Sequence, residues 1–358
     1  MGRFPHIFSL AAATLLLAAS RCGPLPGDAN LDGTVDADDV DHVLACLGAD
    51  PLAGPPCLGA DTNGDGAVGP ADRDFVVSYL PDLACNGDPT ICDRPYDEVA
   101  YATTHNAFSA LDDGFDPLVA NHTRGLREQL AEGVRGLMLD THYFEGGTKL
   151  CHSYCQLGGQ GLGQIDLAVG LGWIAAFLDE NPDAIVTIIF ESYISEADTA
   201  AAFAASGLED FVHEQTPGEP WPSLREMIRA GRRLVVLTDD GSAALPWHHY
   251  VWDFAFETDF DFSLFDHPLE VLVDLLLSVE GCADNRGTPG ADLFILNHFI
   301  TATAGTPVAA AEVNGDPELR DRAALCGQLH GQIPNFVTVD YYEIGDLLGA
   351  VDHLNATF

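Results

Sequence analysis

Short apolar runs alternate with amphipathic stretches from residue 96 onward. Five apolar, strand-like runs each end in a polar residue: GLMLD at 136–140, IVTIIFE at 185–191, RLVVLT at 233–238, LFILN at 293–297 and FVTVD at 336–340. Helix-like segments such as 167–178 and 268–279 lie between them. Repeated strand–helix units of this kind predict an α/β fold, with parallel β-strands wrapped by helices.

The polar residues that close these runs are candidates for chemistry, because the active site of a parallel barrel lies at the C-terminal ends of its strands. Predicted strand ends supply His105, Asn106, Asp140, Glu191, Asn297 and Asp340 as candidates, and His152 follows soon after Asp140. Two imidazoles and several carboxylates suit phosphoryl transfer, in which one histidine accepts a proton, another donates one, and a cation neutralises the phosphate. Taken singly, each residue has a structural alternative as a hydrogen-bonded core group or a helix cap.

Two acidic segments about thirty residues apart precede this region. Oxygen-bearing side chains fall at positions one, three, five and twelve of each, with glycine at six, which is the spacing of a calcium loop. The candidate ligands are Asp28, Asn30, Asp32, Asp36 and Asp39 in the first loop and Asp61, Asn63, Asp65 and Asp72 in the second. A short apolar helix is predicted after each loop, at 40–47 and 73–80, so we expect a small all-α module with two structural calcium ions.

This duplicated loop and helix resembles the dockerin type I family over residues 27–82. The resemblance implies an EF-hand-like module that docks to a cohesin-like partner protein. The spacer between the repeats, however, carries Cys46, Cys57 and several prolines that such modules do not need. The alternative is a calcium-stabilised spacer without a docking role. Residues 83–92 are rich in turn formers and are predicted to be a linker.

Residues 1–21 have the pattern of an export signal, with Arg3, an apolar run too short to span a bilayer, and then small residues. We expect a secreted protein; lipid anchoring at Cys22 is the alternative. Nine cysteines become eight when Cys22 is set aside, and an even number in an exported protein predicts disulfides. Proximity in sequence suggests the pairs Cys46–Cys57, Cys85–Cys92, Cys151–Cys155 and Cys282–Cys326.

The excess of acidic residues limits the classes of partner that the chain can bind. The chain has 55 acidic and 15 basic residues, a balance that disfavours binding to phosphate backbones and broad attraction to anionic membranes. We therefore expect no nucleic-acid partner and only peripheral contact with a membrane.

Seven motifs, in order, resemble the phosphatidylinositol-specific phospholipase C X domain, in the branch of X-domain-only proteins. They are YDEVAYATTHNAF at 96–108, GVRGLMLD at 133–140, LCHS at 150–153, IVTIIFE at 185–191, RRLVVLT at 232–238, LNHF at 296–299 and PNFVTVDYY at 334–342. The resemblance implies a TIM-type (β/α)8 barrel over residues 93–358. It also implies a phosphodiesterase that cleaves the head group of a glycerophospholipid, with phosphatidylinositol or a related inositol phosphodiester as substrate.

The resemblance assigns catalytic roles to three residues. His105 would activate the inositol 2-hydroxyl, which attacks its own phosphate, and His152 would protonate the diacylglycerol oxygen. Asp340 stands where family members without metal place the carboxylate that orients the first histidine. A histidine held by a carboxylate keeps one tautomer and one orientation, so this pair makes physical sense.

Calcium-dependent members of the same family imply a metal site. Asn106, Asp140 and Glu191 match three of their four ligand positions, and the fourth holds Met138, which cannot bind a hard cation. We expect one calcium ion in the barrel, and no barrel metal is the alternative.

Arg135 and Asn297 are candidate substrate-binding residues. Arg135 would bind phosphate if it points into the pocket; the alternative is a buried ion pair that supports the barrel.

Two other functions of the protein stay open. A glycerophosphodiester or sphingomyelin phosphodiesterase would share the fold. Those enzymes, however, generally bind metal through a Glu-x-Asp pair, and Met138 stands where the Glu of that pair is expected. A non-catalytic calcium-dependent surface-binding protein would have no reason to keep both histidines.

Overall fold

The computed structural model describes residues 26–32, 35, 37–49, 57–79, 83–152 and 155–358. The predicted export signal at 1–21, Cys22 and the loop ligand Asp36 lie outside the described residues. The chain divides into two compact units, residues 1–82 and residues 83–358.

The described part of the first unit contains helices α1 (Ala37–Ala45) and α2 (Pro70–Tyr79). Val40, Val43 and Val76 are buried in its small core. Both helices begin three residues earlier than predicted, at 37 rather than 40 and at 70 rather than 73. The reason is that the last acidic residue of each loop, Asp39 or Asp72, belongs to the first helical turn, where carboxylates are favoured.

The second unit is built on a curled sheet. Over the described residues it contains eight parallel strands: β1 (Tyr101–Thr104), β2 (Gly136–Phe144), β3 (Val186–Ser192), β4 (Leu234–Thr238), β5 (His248–Tyr250), β6 (Ala255–Thr258), β7 (Leu293–Asn297) and β8 (Phe336–Val339). Each strand pairs in parallel with the next along the chain, except β5 with β6, and β8 returns to pair with β1. This is the strand order of a TIM-like barrel.

Helices cover the outside of the sheet. They are α3 (Leu126–Ala131), α4 (Leu167–Glu180), α5 (Glu196–Ser206), α6 (Leu224–Arg229), α7 (Leu269–Leu276), α8 (Pro307–Val313), α9 (Glu318–His330) and α10 (Leu347–Thr357). Helix α4 shows how they attach: Leu171, Ile174 and Leu178 repeat at helical spacing and are buried in the main core. Each such side chain contributes about 1.5–3 kcal/mol by leaving water.

The barrel is open between β5 and β6, a departure from the regular (β/α)8 ring. These strands are joined only by the short 3-10 turn Val251–Asp253, which leaves no length for a crossover helix. The free edge of β6 instead pairs with an antiparallel strand, Asp284–Gly287. Further short strands lie beyond β2, at Gly147–Leu150, Gln156–Leu157, Gln160–Gly161 and Ile165–Asp166.

All four predicted disulfides are present: Cys46–Cys57, Cys85–Cys92, Cys151–Cys155 and Cys282–Cys326. Within the described ranges, no helix is both long enough and apolar enough to cross a bilayer.

Candidate active site

His105 lies directly after β1 and meets Asp340, which follows β8. The two strands are paired, with Thr104 opposite Val339, so the next residues of both emerge side by side. Nδ1 of His105 lies 3.0 Å from Oδ1 of Asp340. The imidazole also stacks on Phe299, with ring centroids 4.1 Å apart and planes 4° from parallel. Because the carboxylate holds Nδ1, Nε2 is the atom left to exchange protons in the cleft.

The carboxylate of Asp340 is itself held in place by its neighbours. It is 3% exposed, and its Oδ1 also accepts a hydrogen bond from Nδ2 of Asn121 at 2.8 Å. A Cβ at Gly305 would lie 2.4 Å from Oδ2 of Asp340, so only glycine lets the segment after β7 pass this carboxylate. Asn121 left no signal in the sequence, because it lies in a loop and closes no apolar run.

Asn106 connects the two histidines to the acidic side of the site. With its amide nitrogen towards Asp140, Nδ2 donates to Oδ1 at 2.9 Å, and the amide oxygen lies 3.2 Å from Nε2 of His105. The end of the amide that faces His105 is also 3.3 Å from Nδ1 of His152. Asn106 takes a left-handed backbone conformation, with φ of +48°, which asparagine tolerates better than most residues. One amide therefore brings both imidazoles together.

His152 follows the strand Gly147–Leu150 and lies beside the cleft. Burial, together with the neighbouring His105, lowers the pKa of His152 below its usual range. A histidine in this state gains a proton readily only when a negative charge arrives next to it.

The acidic side of the site is formed by the ends of β2 and β3. Asp140 and Glu191 are partners in register on these strands, and Asp239 follows β4 nearby. Burial, with Glu191 and Asp239 close by, raises the pKa of Asp140 well above its usual range. The Tyr193 hydroxyl donates to Oε1 of Glu191 at 2.5 Å.

With the Asn106 amide turned the other way, so that its oxygen faces Asp140, the site fits a hard divalent cation, because Asn106, Asp140 and Glu191 then supply oxygen ligands with excess negative charge. Met138 lines the cleft but adds no ligand, and its backbone oxygen already accepts the amide of Ala107 at 2.9 Å.

The opposite wall of the cleft carries Arg286. Its guanidinium pairs with the buried carboxylate of Glu257 and lies 4.9 Å from the ring centroid of Trp252 and 4.4 Å from that of Phe260. Asn297 donates from Nδ2 to Oε2 of Glu257 at 3.1 Å. These residues line a single cleft, which we call the active-site cleft. Its lining includes His105, Asp140, Trp252, Glu257, Phe260, Arg286 and Asn297.

Arg286 is the one lysine or arginine among the described residues that line this cleft. Its strand is exposed and polar, so no apolar run marked it in the sequence.

The expectation that Arg135 contacts substrate is wrong. Arg135 precedes β2 and therefore lies at the N-terminal end of the barrel, away from the active-site cleft. Its Nη1 donates to the carbonyl oxygens of Leu130 at 2.7 Å and Val134 at 2.8 Å, and its Nε donates to Asn86 at 3.1 Å. Burial lowers the pKa of Arg135 to about 10. Among the described residues, Arg135 supports the barrel through backbone carbonyls rather than through an ion pair.

In the first unit, three carboxylates of the second loop converge. Asp61, Asp65 and Asp72 each offer a carboxylate oxygen within 4.8 Å of the others. Asn63 lies in the same loop, where its Oδ1 accepts the backbone amide of Asp65 at 2.9 Å. In the first loop, the backbone amide of Asn30 donates to Oδ1 of Asp39 at 2.9 Å, and that of Asp32 donates to Oδ1 of Asn30 at the same distance. Asp28 is buried beside them.

Known proteins resemble the second unit. The family model described as PI-PLC X 1 matches residues 91–355. PI-PLC X domain-containing protein 1 of Arthroderma benhamiae is 28% identical, over 78% of this chain and 92% of that protein. A protein of the same fungus described as an uncharacterized secreted protein is 26% identical, over 75% of this chain and 62% of that protein. A PI-PLC X domain-containing protein of Arabidopsis thaliana is 29% identical, over 73% and 62% respectively.

A solved structure of phosphatidylinositol-specific phospholipase C from Staphylococcus aureus shares the fold, with a TM-score of 0.50 at 13% identity over 79% of this chain and 96% of that one. The enzyme of the same description from Listeria monocytogenes gives a TM-score of 0.49 at 16% identity over 78% and 96% respectively. The family model covers well over half of the chain. The chain therefore belongs to the PI-PLC X domain family.

Proposed function

We propose that this chain is a phosphodiesterase that cleaves the head-group phosphodiester of an inositol phospholipid by acid–base catalysis. The observation that carries the proposal is the shared contact of His105 and His152 with one amide: Asn106 lies 3.2 Å from one imidazole and 3.3 Å from the other. Two histidines this close, one of them held by a carboxylate, can serve the two sides of a single phosphate.

The proton path follows from these contacts. Nε2 of His105 accepts the proton of the inositol 2-hydroxyl, and Asp340 stabilises the imidazolium that forms. The 2-oxygen then forms a bond to phosphorus while the bond from phosphorus to the glycerol oxygen breaks. His152 donates a proton to that leaving oxygen, so the products are a cyclic inositol phosphate and a diacylglycerol.

The lowered pKa of His152 fits this order of events. In the free protein His152 is largely neutral near pH 7, because burial disfavours its charged form. An anionic phosphodiester in the cleft raises the pKa of His152 again, so the acid is charged when its substrate is bound.

A calcium ion held by Asn106, Asp140 and Glu191 would neutralise charge that develops on the phosphate. On the opposite wall, Arg286 takes the substrate contact that had been expected of Arg135, with Asn297 beside it. The guanidinium is held by Glu257 and two aromatic rings, so it is oriented before substrate arrives.

For the first unit we propose two calcium ions, one in each loop; the convergence of Asp61, Asp65 and Asp72 supports the ion of the second loop. Docking to a cohesin-like protein is a further proposal that rests on the sequence resemblance alone. Calorimetry on the full chain should show three calcium sites, one in the barrel and two in the first unit, and D61A/D65A should abolish one of the latter two. We also propose export from the cell. Four disulfides and a fungal relative described as secreted support it.

The direct test is release of inositol phosphate from phosphatidylinositol vesicles by the full chain, in calcium and in EGTA. We expect His105→Ala and His152→Ala each to lower the rate at least about a hundredfold. Exposed His267 provides a matched control, and His267→Ala should keep the wild-type rate. Turnover of glycerophosphodiesters or sphingomyelin but not phosphatidylinositol would contradict the proposal.

A further inference from the structure

Among the described residues, few contacts hold His152 in place. Its described side-chain hydrogen bond is the 3.3 Å contact with Asn106, and its backbone oxygen accepts the amide of Cys155 at 3.2 Å. His105 differs, because it has a carboxylate partner, a stacked aromatic ring and a backbone hydrogen bond to Val339. The position of His152 therefore depends on the contacts that hold its loop in place.

A disulfide closes that loop. Cys151 and Cys155 are bonded across a separation of four residues, and both are buried. Leu150, just before the bridge, pairs with Thr141 of β2, so the first sulfur is tied to the barrel sheet. The carbonyl oxygen of Cys155 accepts the amide of Leu162 at 3.0 Å, which ties down the other side. His152 thus belongs to a small covalent ring with a fixed base.

We propose that the Cys151–Cys155 disulfide is a positioning device that holds His152 against Asn106 and within reach of the leaving oxygen. This inference rests on the proposed role of His152 as the general acid. Without the bridge, residues 151–155 gain backbone freedom and His152 spends most of its time away from Asn106. A displacement of about 1 Å is enough to cost on the order of a hundredfold in rate.

The Cys85–Cys92 disulfide is a matched control. It also closes a short local loop, with a separation of seven residues, and its cysteines are also buried. The neighbouring Asn86 contacts Arg135 and Ile185, which precede β2 and β3, so this bridge lies at the end of the barrel opposite the active-site cleft. Removing it tests general loss of a covalent link without touching the acid.

The test compares C151A/C155A with C85A/C92A on two substrates. Phosphatidylinositol has an alkoxide leaving group that needs a proton, whereas a nitrophenyl ester of inositol phosphate has a leaving group that departs without one. We expect C151A/C155A to lose about a hundredfold on the lipid and less than about fivefold on the aryl ester. C85A/C92A should change both rates equally. Equal losses on both substrates in C151A/C155A, or no loss on either, would overturn the inference.

A second measurement does not depend on turnover. A crystal structure of the wild type should show the His152 ring against Asn106, as the 3.3 Å contact requires. In C151A/C155A the ring should lie away from Asn106 or lack electron density. A His152 ring that keeps its place in C151A/C155A would show that the loop holds itself and would overturn the inference. If the wild type turned over neither ester, the proposed function would fail instead, and this comparison of structures would still decide the role of the disulfide.

Discussion

Two donors converge on a single oxygen of Asp340. Nδ1 of His105 and Nδ2 of Asn121 both lie within 3.0 Å of Oδ1, and the carboxylate is almost fully buried. A buried carboxylate with this geometry fixes the tautomer of the imidazole and stabilises its charged form. His105 owes its competence as a base to this arrangement rather than to its position after β1 alone.

Asp340→Asn tests that dependence. The amide has nearly the shape of the carboxylate but no charge, and its NH2 group would face Nδ1 and favour the wrong tautomer. We expect the rate of inositol phosphate release to fall at least about a hundredfold, while circular dichroism and the melting temperature stay close to wild type. A variant with wild-type turnover would separate Asp340 from the mechanism.

Asp97 makes the stability of the folded chain depend on pH. Its Oδ1 is buried without a hydrogen-bond partner among the described residues, and burial raises the pKa of Asp97 from 3.8 to about 6. Between these values the folded chain keeps a proton that the unfolded chain has released, so the free energy of unfolding falls as pH rises through this window. Asp97→Asn removes the cost of burying a charge.

We therefore expect Asp97→Asn to melt at a higher temperature than wild type at pH 7, with a smaller difference at pH 4, where Asp97 is already neutral in the folded chain. Differential scanning calorimetry at the two pH values measures the difference. The same increase at both values would mean that the amide acts through a new contact and not through charge.

At the scale of elements, the polar ends of buried strands were predictable. His105, Asp140, Glu191, Asn297 and Asp340 close or follow apolar runs, and parallel pairing gathers such positions at one end of a sheet. The same rule should have excluded Arg135. It precedes β2, and a residue that enters a parallel strand lies at the end opposite the residue that leaves it.

The remaining elements left no signal in the sequence. Strand β5 is three residues long and carries His248 and His249, which do not form an apolar run. The strand Asp284–Gly287 is exposed along its length, and it pairs with β6 because the barrel is open there. Its position depends on long-range pairing, so Arg286 could be assigned to the active-site cleft only from the structure.

Substitution of the two arginines tests this reassignment. Arg286→Ala should raise KM for phosphatidylinositol roughly tenfold to a hundredfold, because a charge-assisted contact with substrate is lost. Arg135→Ala should leave KM unchanged and lower the free energy of unfolding by about 1–3 kcal/mol, since the backbone carbonyls of Leu130 and Val134 lose their donor. Steady-state kinetics and urea titration provide the two readouts.

Arg286→Lys is the control, because lysine keeps the positive charge but lacks the planar guanidinium group. We expect it to recover part of the affinity that Arg286→Ala loses. An Arg135→Ala protein with raised KM and unaltered stability would reverse the assignment.

On the scale of the whole molecule, the formal net charge of −40 is the dominant property. Phosphatidylinositol is anionic, so a vesicle that contains it repels most of the protein surface. Arg286 lies inside the cleft and contributes at short range, whereas repulsion acts over the Debye length, about 30 Å at 0.01 M salt and about 8 Å at 0.15 M. Approach to the vesicle is therefore the step most sensitive to salt.

We expect kcat/KM on phosphatidylinositol in phosphatidylcholine vesicles to rise severalfold between 0.01 M and 0.15 M sodium chloride at constant calcium, because salt screens the repulsion. A monomeric short-chain phosphatidylinositol carries a single charge and provides the control, with a much weaker dependence. Rates that fall with salt on vesicles would mean that a local basic surface, rather than the net charge, governs the encounter. Equal dependence on both substrates would place the effect inside the active-site cleft.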